Sequence, residues 1–67
     1  MPIVNITLWP GRSKEQKSQL AQAITEDFVR IINAKPESVQ IIFNEVDRSN
    51  WAIMGKLQDM TEIKKEE

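Results

Sequence analysis

The first residue in this sequence that could do chemistry is Pro2, which directly follows the initiator methionine. A methionine before a small residue such as proline is normally removed, and Pro2 would then begin the chain with a free secondary amine. A free α-amine titrates near pH ~7.7 to 8.0, and an apolar or cationic setting lowers that value because it disfavours the ammonium form. Such an amine is largely unprotonated at neutral pH, as a general base must be. The alternative is structural, in which Pro2 caps an edge strand where its missing N–H costs nothing.

The composition excludes several kinds of site. The sequence of 67 residues contains neither cysteine nor histidine. Disulfides, thiolate metal sites, ordinary zinc ligand sets and Ser–His or Cys–His nucleophile pairs are therefore excluded. The net charge is −1, with basic and acidic residues interspersed, so we expect no nucleic-acid partner and no membrane partner.

The length predicts one small domain over residues 1–60, followed by a charged tail over 61–67 that frays. A core of this size supplies only a few kcal/mol of net stability, and without disulfides we expect oligomerisation to supply the rest. No apolar run approaches the length of a signal sequence or a membrane span, so the expected location is the cytoplasm.

Two segments have the alternating pattern of strands. In Ile3 to Trp9, every second residue is apolar on one face, and the following Pro10 and Gly11 break the strand. Ser38 to Val46 alternates in the same way. Residues 51–55 form a short apolar element that we interpret as a hairpin.

Between the strands the sequence predicts an amphipathic helix. Ser13 and Gln16 have the spacing of a capping box, and the helix should stop between Asn33 and Pro36 because the residue before a proline avoids helical geometry. The predicted core face consists of Leu20, Ala21, Ile24, Phe28, Ile31 and Ile32.

This order predicts a single β-α-β unit of the α/β (or α+β) class, with parallel strands and a right-handed crossover. One helix covers only one face of such a sheet. The other face would hold Ile3, Trp9, Ile42 and Val46, and a two-stranded sheet leaves them in water. We therefore expect that face to pack against other copies of the chain.

Four motifs follow one another along the chain: Pro2-Ile3, Gly11-Arg12-Ser13 followed by Glu15-Gln16-Lys17, a second strand ending in Glu45, and Trp51 with Gly55. Together they resemble the motifs of the 4-oxalocrotonate tautomerase family. The resemblance runs from Pro2 to about Leu57. It implies a β-α-β protomer in a hexamer built as a trimer of dimers. It also implies keto–enol proton transfer on small 2-oxo or 2-hydroxydienoate acids, with no cofactor and no metal.

The resemblance implies a role for three residues of this sequence. Pro2 matches the general base, and Arg12 matches the arginine that holds a substrate carboxylate, which a guanidinium fork does bidentately. Trp51 matches an aromatic wall that keeps the site apolar and the proline amine neutral. The structural alternatives are a solvated loop arginine at Arg12 and interface packing at Trp51.

The sequence departs from the family at Gln40, where the best-known members have a second arginine that polarises the substrate's 2-oxygen. A glutamine still donates a hydrogen bond, but a neutral donor is weaker than an ionised one. Trp9-Pro10 also replaces residues often found before the glycine, which could alter the loop that carries Arg12. Arg48 is a candidate substitute cation; the alternative is an ordinary solvated turn residue.

Pro2 and Arg12 lie too far apart to share a small-substrate site in one chain. They flank the first strand, and at ~3.3 Å per residue they are separated by roughly 25 Å or more. An antiparallel two-fold pairing of protomers would bring the Arg12 end of one strand beside the Pro2 end of its partner.

Two functions remain open. The first is a proline-dependent tautomerase, which Pro2 favours. The second is a weakly active or non-catalytic oligomer that serves as a binding or assembly module, and the neutral Gln40 is compatible with it.

Overall fold

The structure is a computed structural model that describes residues 1–59. Its elements are β1 (Ile3–Leu8), α1 (Lys14–Ile32), β2 (Gln40–Glu45) and a hairpin of β3 (Ala52–Ile53) and β4 (Lys56–Leu57). Short 3-10 turns at Pro36–Ser38 and Arg48–Asn50 precede β2 and β3. The tail predicted to fray, residues 61–67, and the last residue of the predicted domain lie outside the described residues.

Strands β1 and β2 pair in parallel, with a register that runs from Ile3 opposite Gln40 to Leu8 opposite Glu45. Hydrogen bonds extend the ladder by one residue at each end, from the Gln40 N–H to the Pro2 carbonyl (3.0 Å) and from the Val46 N–H to the Leu8 carbonyl (2.9 Å). The predicted β-α-β unit and the C-terminal hairpin are confirmed.

The second strand is shorter than predicted at its start. Ser38 was expected to be its first residue, but the strand begins at Gln40. Pro36 begins a 3-10 turn instead, and the Ser38 N–H donates to the Lys35 carbonyl at 2.9 Å. A proline readily takes the first position of a helical turn, where its missing N–H is not needed.

Helix α1 begins and ends as its sequence predicts. The Gln16 N–H donates to Ser13 Oγ and the Ser13 N–H donates to Gln16 Oε1, both at 3.0 Å, which completes the capping box. Asn33 ends the helix in the left-handed region at φ 63°, and its N–H donates to the Val29 carbonyl at 3.1 Å. Asparagine tolerates this conformation better than most residues.

The helix covers one face of the two-stranded sheet. Val4, Ile6 and Leu8 of β1 are half-buried, whereas the alternate residues are exposed. On the uncovered face Ile3 keeps 54% and Ile42 44% of its surface in solvent. Among residues 1–59 no side chain is fully buried, so the described part of the chain forms no closed core by itself.

The apolar face of α1 extends past the sheet. Ile31 and Ile32, predicted to be core residues, are 65% and 58% exposed in the protomer. A helix of 19 residues is about 28 Å long, whereas six-residue strands span about 20 Å. The last turns of α1 therefore project beyond the strands, and no other element of residues 1–59 covers them there.

Within residues 1–59 no helix combines the length and apolar character that crossing a membrane requires.

Candidate active site

The amino ends of the parallel strands bring Pro2 and Gln40 together. Pro2 is half-buried, and its carbonyl accepts the Gln40 backbone N–H at 3.0 Å. The Gln40 side-chain amide reaches over the start of the chain, where Nε2 lies 3.5 Å from Met1 Sδ. Met1 is bonded to the Pro2 nitrogen in this structure, so that nitrogen is an amide here and becomes a base only when Met1 is removed.

The carboxyl ends of the strands carry an aromatic cluster. The Trp9 and Trp51 rings meet edge to face, with centroids 5.6 Å apart and planes at 76°. This geometry is one that the ring quadrupoles favour. The Arg48 guanidinium carbon lies over the Trp9 ring, 4.6 Å from its centroid. We call these three residues the Trp9–Arg48–Trp51 cluster.

Trp9 is therefore placed differently from its prediction. The alternating pattern assigned it to the uncovered face of β1, but the strand ends at Leu8 and Trp9 lies half-buried against the turn that precedes β3. Pro10 has no N–H with which to continue the ladder, so the chain leaves the strand at this point. The Trp9 Nε1 atom is shielded from solvent and has no hydrogen-bond acceptor within the described part of the chain.

Arg12 lies at the same end of the strands, in the turn between β1 and α1. Gly11, at φ +126°, makes the turn possible because a side chain is strained in that region. Arg12 lines a groove of about 170 Å³ with Leu8, Gln16, Lys17, Leu20 and Phe43. Lys17 is neutralised by Glu45 at 2.8 Å, whereas Arg12 forms no ion pair within residues 1–59.

The four predicted site residues thus fall into two groups at opposite ends of the sheet. Pro2 and Gln40 lie at the amino ends, and Arg12 and Trp51 lie past the carboxyl ends of β1 and β2. The six residues of β1 separate the groups by about 20 Å. A small substrate cannot span that distance, so Pro2 and Arg12 could act on one molecule only if they come from different protomers.

Sequence reasoning did not find the contact between Arg48 and Trp9. Its signal was weak, because the two residues are far apart in sequence and only the fold brings the turn after β2 against the end of β1. Trp51 alone was singled out as an aromatic wall. The structure packs Trp9 against Trp51 and places the Arg48 guanidinium over the Trp9 ring.

The chain matches a known protein family along most of its length. A family model described as tautomerase enzyme matches residues 2–59. The chain belongs to the tautomerase family. Within it, a probable tautomerase of Streptococcus pyogenes is 38% identical over 58 residues, covering 87% of this chain and 95% of the relative.

Solved structures of the tautomerase family share the fold. The crystal structure of a 4-oxalocrotonate tautomerase homologue superposes with a TM-score of 0.87 at 35% identity, over 92% of this chain and 98% of that one. A second similar structure is a heterohexamer 4-oxalocrotonate tautomerase from Chloroflexus aurantiacus. It has a TM-score of 0.83 at 29% identity, over 92% of this chain and all of that one.

Proposed function

We propose that this protein is a cofactor-independent tautomerase of small 2-oxo or 2-hydroxydienoate acids, in which Pro2 becomes the general base once Met1 is removed. The observation that carries the proposal is the placement of Pro2. It is half-buried at the start of β1, and its carbonyl is fixed by the Gln40 N–H at 3.0 Å. A ring nitrogen held this way keeps a constant position relative to the sheet, which proton transfer requires.

The proposed reaction moves one proton. The neutral proline nitrogen accepts the proton of the enol O–H, and the electron pair of that bond forms the C=O bond. The electrons of the conjugated carbon–carbon double bonds shift away from the oxygen. The carbon at the far end of those double bonds then takes the proton from the prolinium. The base is thereby regenerated, and no cofactor is required.

The other proposed residues bind the substrate and set its environment. Arg12 holds a carboxylate, because it is exposed beside a groove and has no ion pair within residues 1–59. Trp51, packed on Trp9, forms an apolar wall. Gln40 donates a hydrogen bond to the substrate's 2-oxygen, a role supported by the contact of its side chain with the residue bonded to Pro2.

The proposed active form is an oligomer, and we infer a hexamer. The separation of Pro2 from Arg12 requires a second protomer for each site. The uncovered sheet face, with Ile3 and Ile42 about half exposed, and the absence of a fully buried side chain among residues 1–59 support the same conclusion. That one similar tautomerase forms a heterohexamer is consistent with it.

The test combines the mass of the protein with an activity measurement. Intact-mass analysis of protein from its natural host gives the fraction that lacks Met1, and ketonisation of phenylenolpyruvate or 2-hydroxymuconate should scale with that fraction. Pro2→Ala should lose most of the activity because a primary amine of different basicity and shape replaces the ring nitrogen. The control is Pro36→Ala, which removes a proline from the turn before β2 and should leave the rate unchanged.

Retention of Met1 in an active protein, or an unchanged rate in Pro2→Ala, would remove Pro2 from the mechanism.

One observation favours a second candidate function. Gln40 is neutral where the family arginine would stabilise charge, which fits a weakly active or non-catalytic oligomer that serves as a binding or assembly module. Such a protein would assemble and lack Met1, and yet ketonise both acids slowly or not at all.

A further inference from the structure

The Trp9–Arg48–Trp51 cluster is closed by three contacts, one between each pair of its members. The Arg48 guanidinium carbon lies 4.6 Å from the Trp9 ring centroid, and the Trp9 and Trp51 centroids are 5.6 Å apart. The third contact is a backbone hydrogen bond, in which the Trp51 N–H donates to the Arg48 carbonyl at 3.1 Å. Arg48 therefore contacts Trp51 directly through its backbone, and its side chain acts on Trp51 through the Trp9 ring.

The Arg48 side chain is not held in place by an ion pair. Arg48 is half-buried, and neither ion pair within residues 1–59 involves it or its sequence neighbour Asp47. Its guanidinium lies over the Trp9 ring instead. Guanidinium groups stack on aromatic faces, and tryptophan is the ring that attracts a cation most strongly. The ring thus holds the guanidinium, and the guanidinium in turn restricts the ring.

The orientation of Trp51 depends on this support, because the hairpin that follows it is small. Strands β3 and β4 have two residues each, and all four residues are exposed. A two-stranded hairpin is at best marginally stable alone. The Gln58 N–H donates to the Trp51 carbonyl at 2.8 Å, which ties the hairpin to Trp51. Trp9 joins Trp51 to the end of β1, so Arg48 acts on the link between the hairpin and the sheet.

This placement bears on the earlier candidate role of Arg48 as a substitute for the family arginine at position 40. Gln40 begins β2, whereas Arg48 lies in the turn after that strand. Within one protomer the two residues are at opposite ends of the sheet, and the Arg48 guanidinium already contacts Trp9. A contact with the aromatic cluster is therefore the role that the geometry favours.

We propose that Arg48 is a positioning residue that holds the Trp9 ring against Trp51 and so fixes the orientation of the apolar wall. The inference rests on the proposed function, in which Trp51 is that wall, and deepens it by adding a residue that does not touch the substrate. A wall that turns would misplace the reacting atoms relative to the base, and a small misplacement slows proton transfer strongly. Arg12 would still hold the carboxylate, so we expect the loss in kcat and not in KM.

The experiment combines a spectroscopic and a kinetic measurement on assembled protein lacking Met1. The sequence has two tryptophans and no tyrosine, so the exciton-coupled circular dichroism band of paired indoles reports on Trp9 and Trp51. Arg48→Met keeps an apolar stem but removes the cation. It should weaken that band and lower kcat for 2-hydroxymuconate about fivefold, with KM within about twofold. Arg48→Lys keeps a cation for the ring and should retain kcat within about twofold.

Arg30→Met is the matched control. It removes the same charge from an exposed position on α1, where Arg30 pairs with Asp27 at 2.9 Å, and it should change neither the band nor kcat. Light scattering verifies that each variant assembles. If Arg48→Met fails to assemble, Arg48→Gln takes its place, because it also removes the cation, and the same changes in the band and in kcat are expected.

Four results would overturn the inference. They are an unchanged band in the uncharged Arg48 variant, a weakened band with unchanged kcat, a loss in Arg48→Lys as large as that in the uncharged variant, and an equal loss in Arg30→Met. Each of them would leave an active unmodified protein and its dependence on Pro2 intact. An unmodified protein that does not ketonise 2-hydroxymuconate would instead overturn the proposed function and this inference together, so the two failures are distinguishable.

Discussion

Replacing Gln40 by arginine tests the position at which this chain departs from its family. Gln40 is exposed at the start of β2, opposite Ile3, and its side chain already reaches the residue that precedes Pro2. A longer guanidinium there would meet no carboxylate on the same face, where the neighbouring exposed side chains are uncharged. It would remain available to the oxygen of a substrate at Pro2.

The expected increase in kcat follows from the stabilisation that a hydrogen-bond donor gives to a developing oxyanion. Loss of one such donor costs ~2.7 to 4 kcal/mol, so a well-placed arginine could raise kcat by about a hundredfold. We expect less, because no side chain on the uncovered face would hold the new guanidinium in one rotamer. Gln40→Arg should therefore raise kcat for 2-hydroxymuconate by about three- to thirtyfold.

The assay is the initial rate of 2-hydroxymuconate ketonisation by protein lacking Met1. Asn44→Arg is the matched control, because it places the same charge on the same face of β2 at the opposite end of the strand. It should not raise kcat. If Gln40→Arg assembles normally and changes neither kcat nor kcat/KM, position 40 does not serve the substrate's 2-oxygen, and the reasoning from the family position is refuted.

Two further predictions concern the other end of the sheet and the assembly. Arg12→Ala should raise KM for 2-hydroxymuconate and leave that for phenylenolpyruvate little changed, since only the former has a distal carboxylate; equal effects on both substrates would contradict the proposed contact. Light scattering on a sizing column should give the mass of a hexamer at micromolar protein, because Ile3 and Ile42 need a partner surface. A folded monomer at that concentration would contradict both the assembly and a site shared between chains.

The periodicity of the sequence was sufficient to predict the protomer's architecture. Alternation at Val4, Ile6 and Leu8 identified the face of β1 that meets the helix, and the Ser13–Gln16 pair marked the first turn of α1. Both signals are local, since each depends on residues within a few positions of one another. The folded chain keeps such local conformational preferences when tertiary packing does not oppose them.

Features that depend on relative lengths or distant contacts were not predictable in this way. The helical pattern included Ile31 and Ile32 in a core, but it contains no information about where the sheet ends beneath them. The Arg48 contact with Trp9 depends on how the chain turns after β2. The candidate site shares this difficulty, because its proposed parts lie at opposite ends of β1 and meet only between molecules.

The distance between Pro2 and Arg12 has a genetic consequence. In the proposed assembly the proline of one protomer works with the arginine of another, so a defective chain impairs the sites of its neighbours as well as its own. A mutant copy expressed beside a normal one would act dominantly. Conversely, a chain that lacks only Pro2 and a chain that lacks only Arg12 could complement each other, because their mixed assembly contains some sites in which both groups are intact.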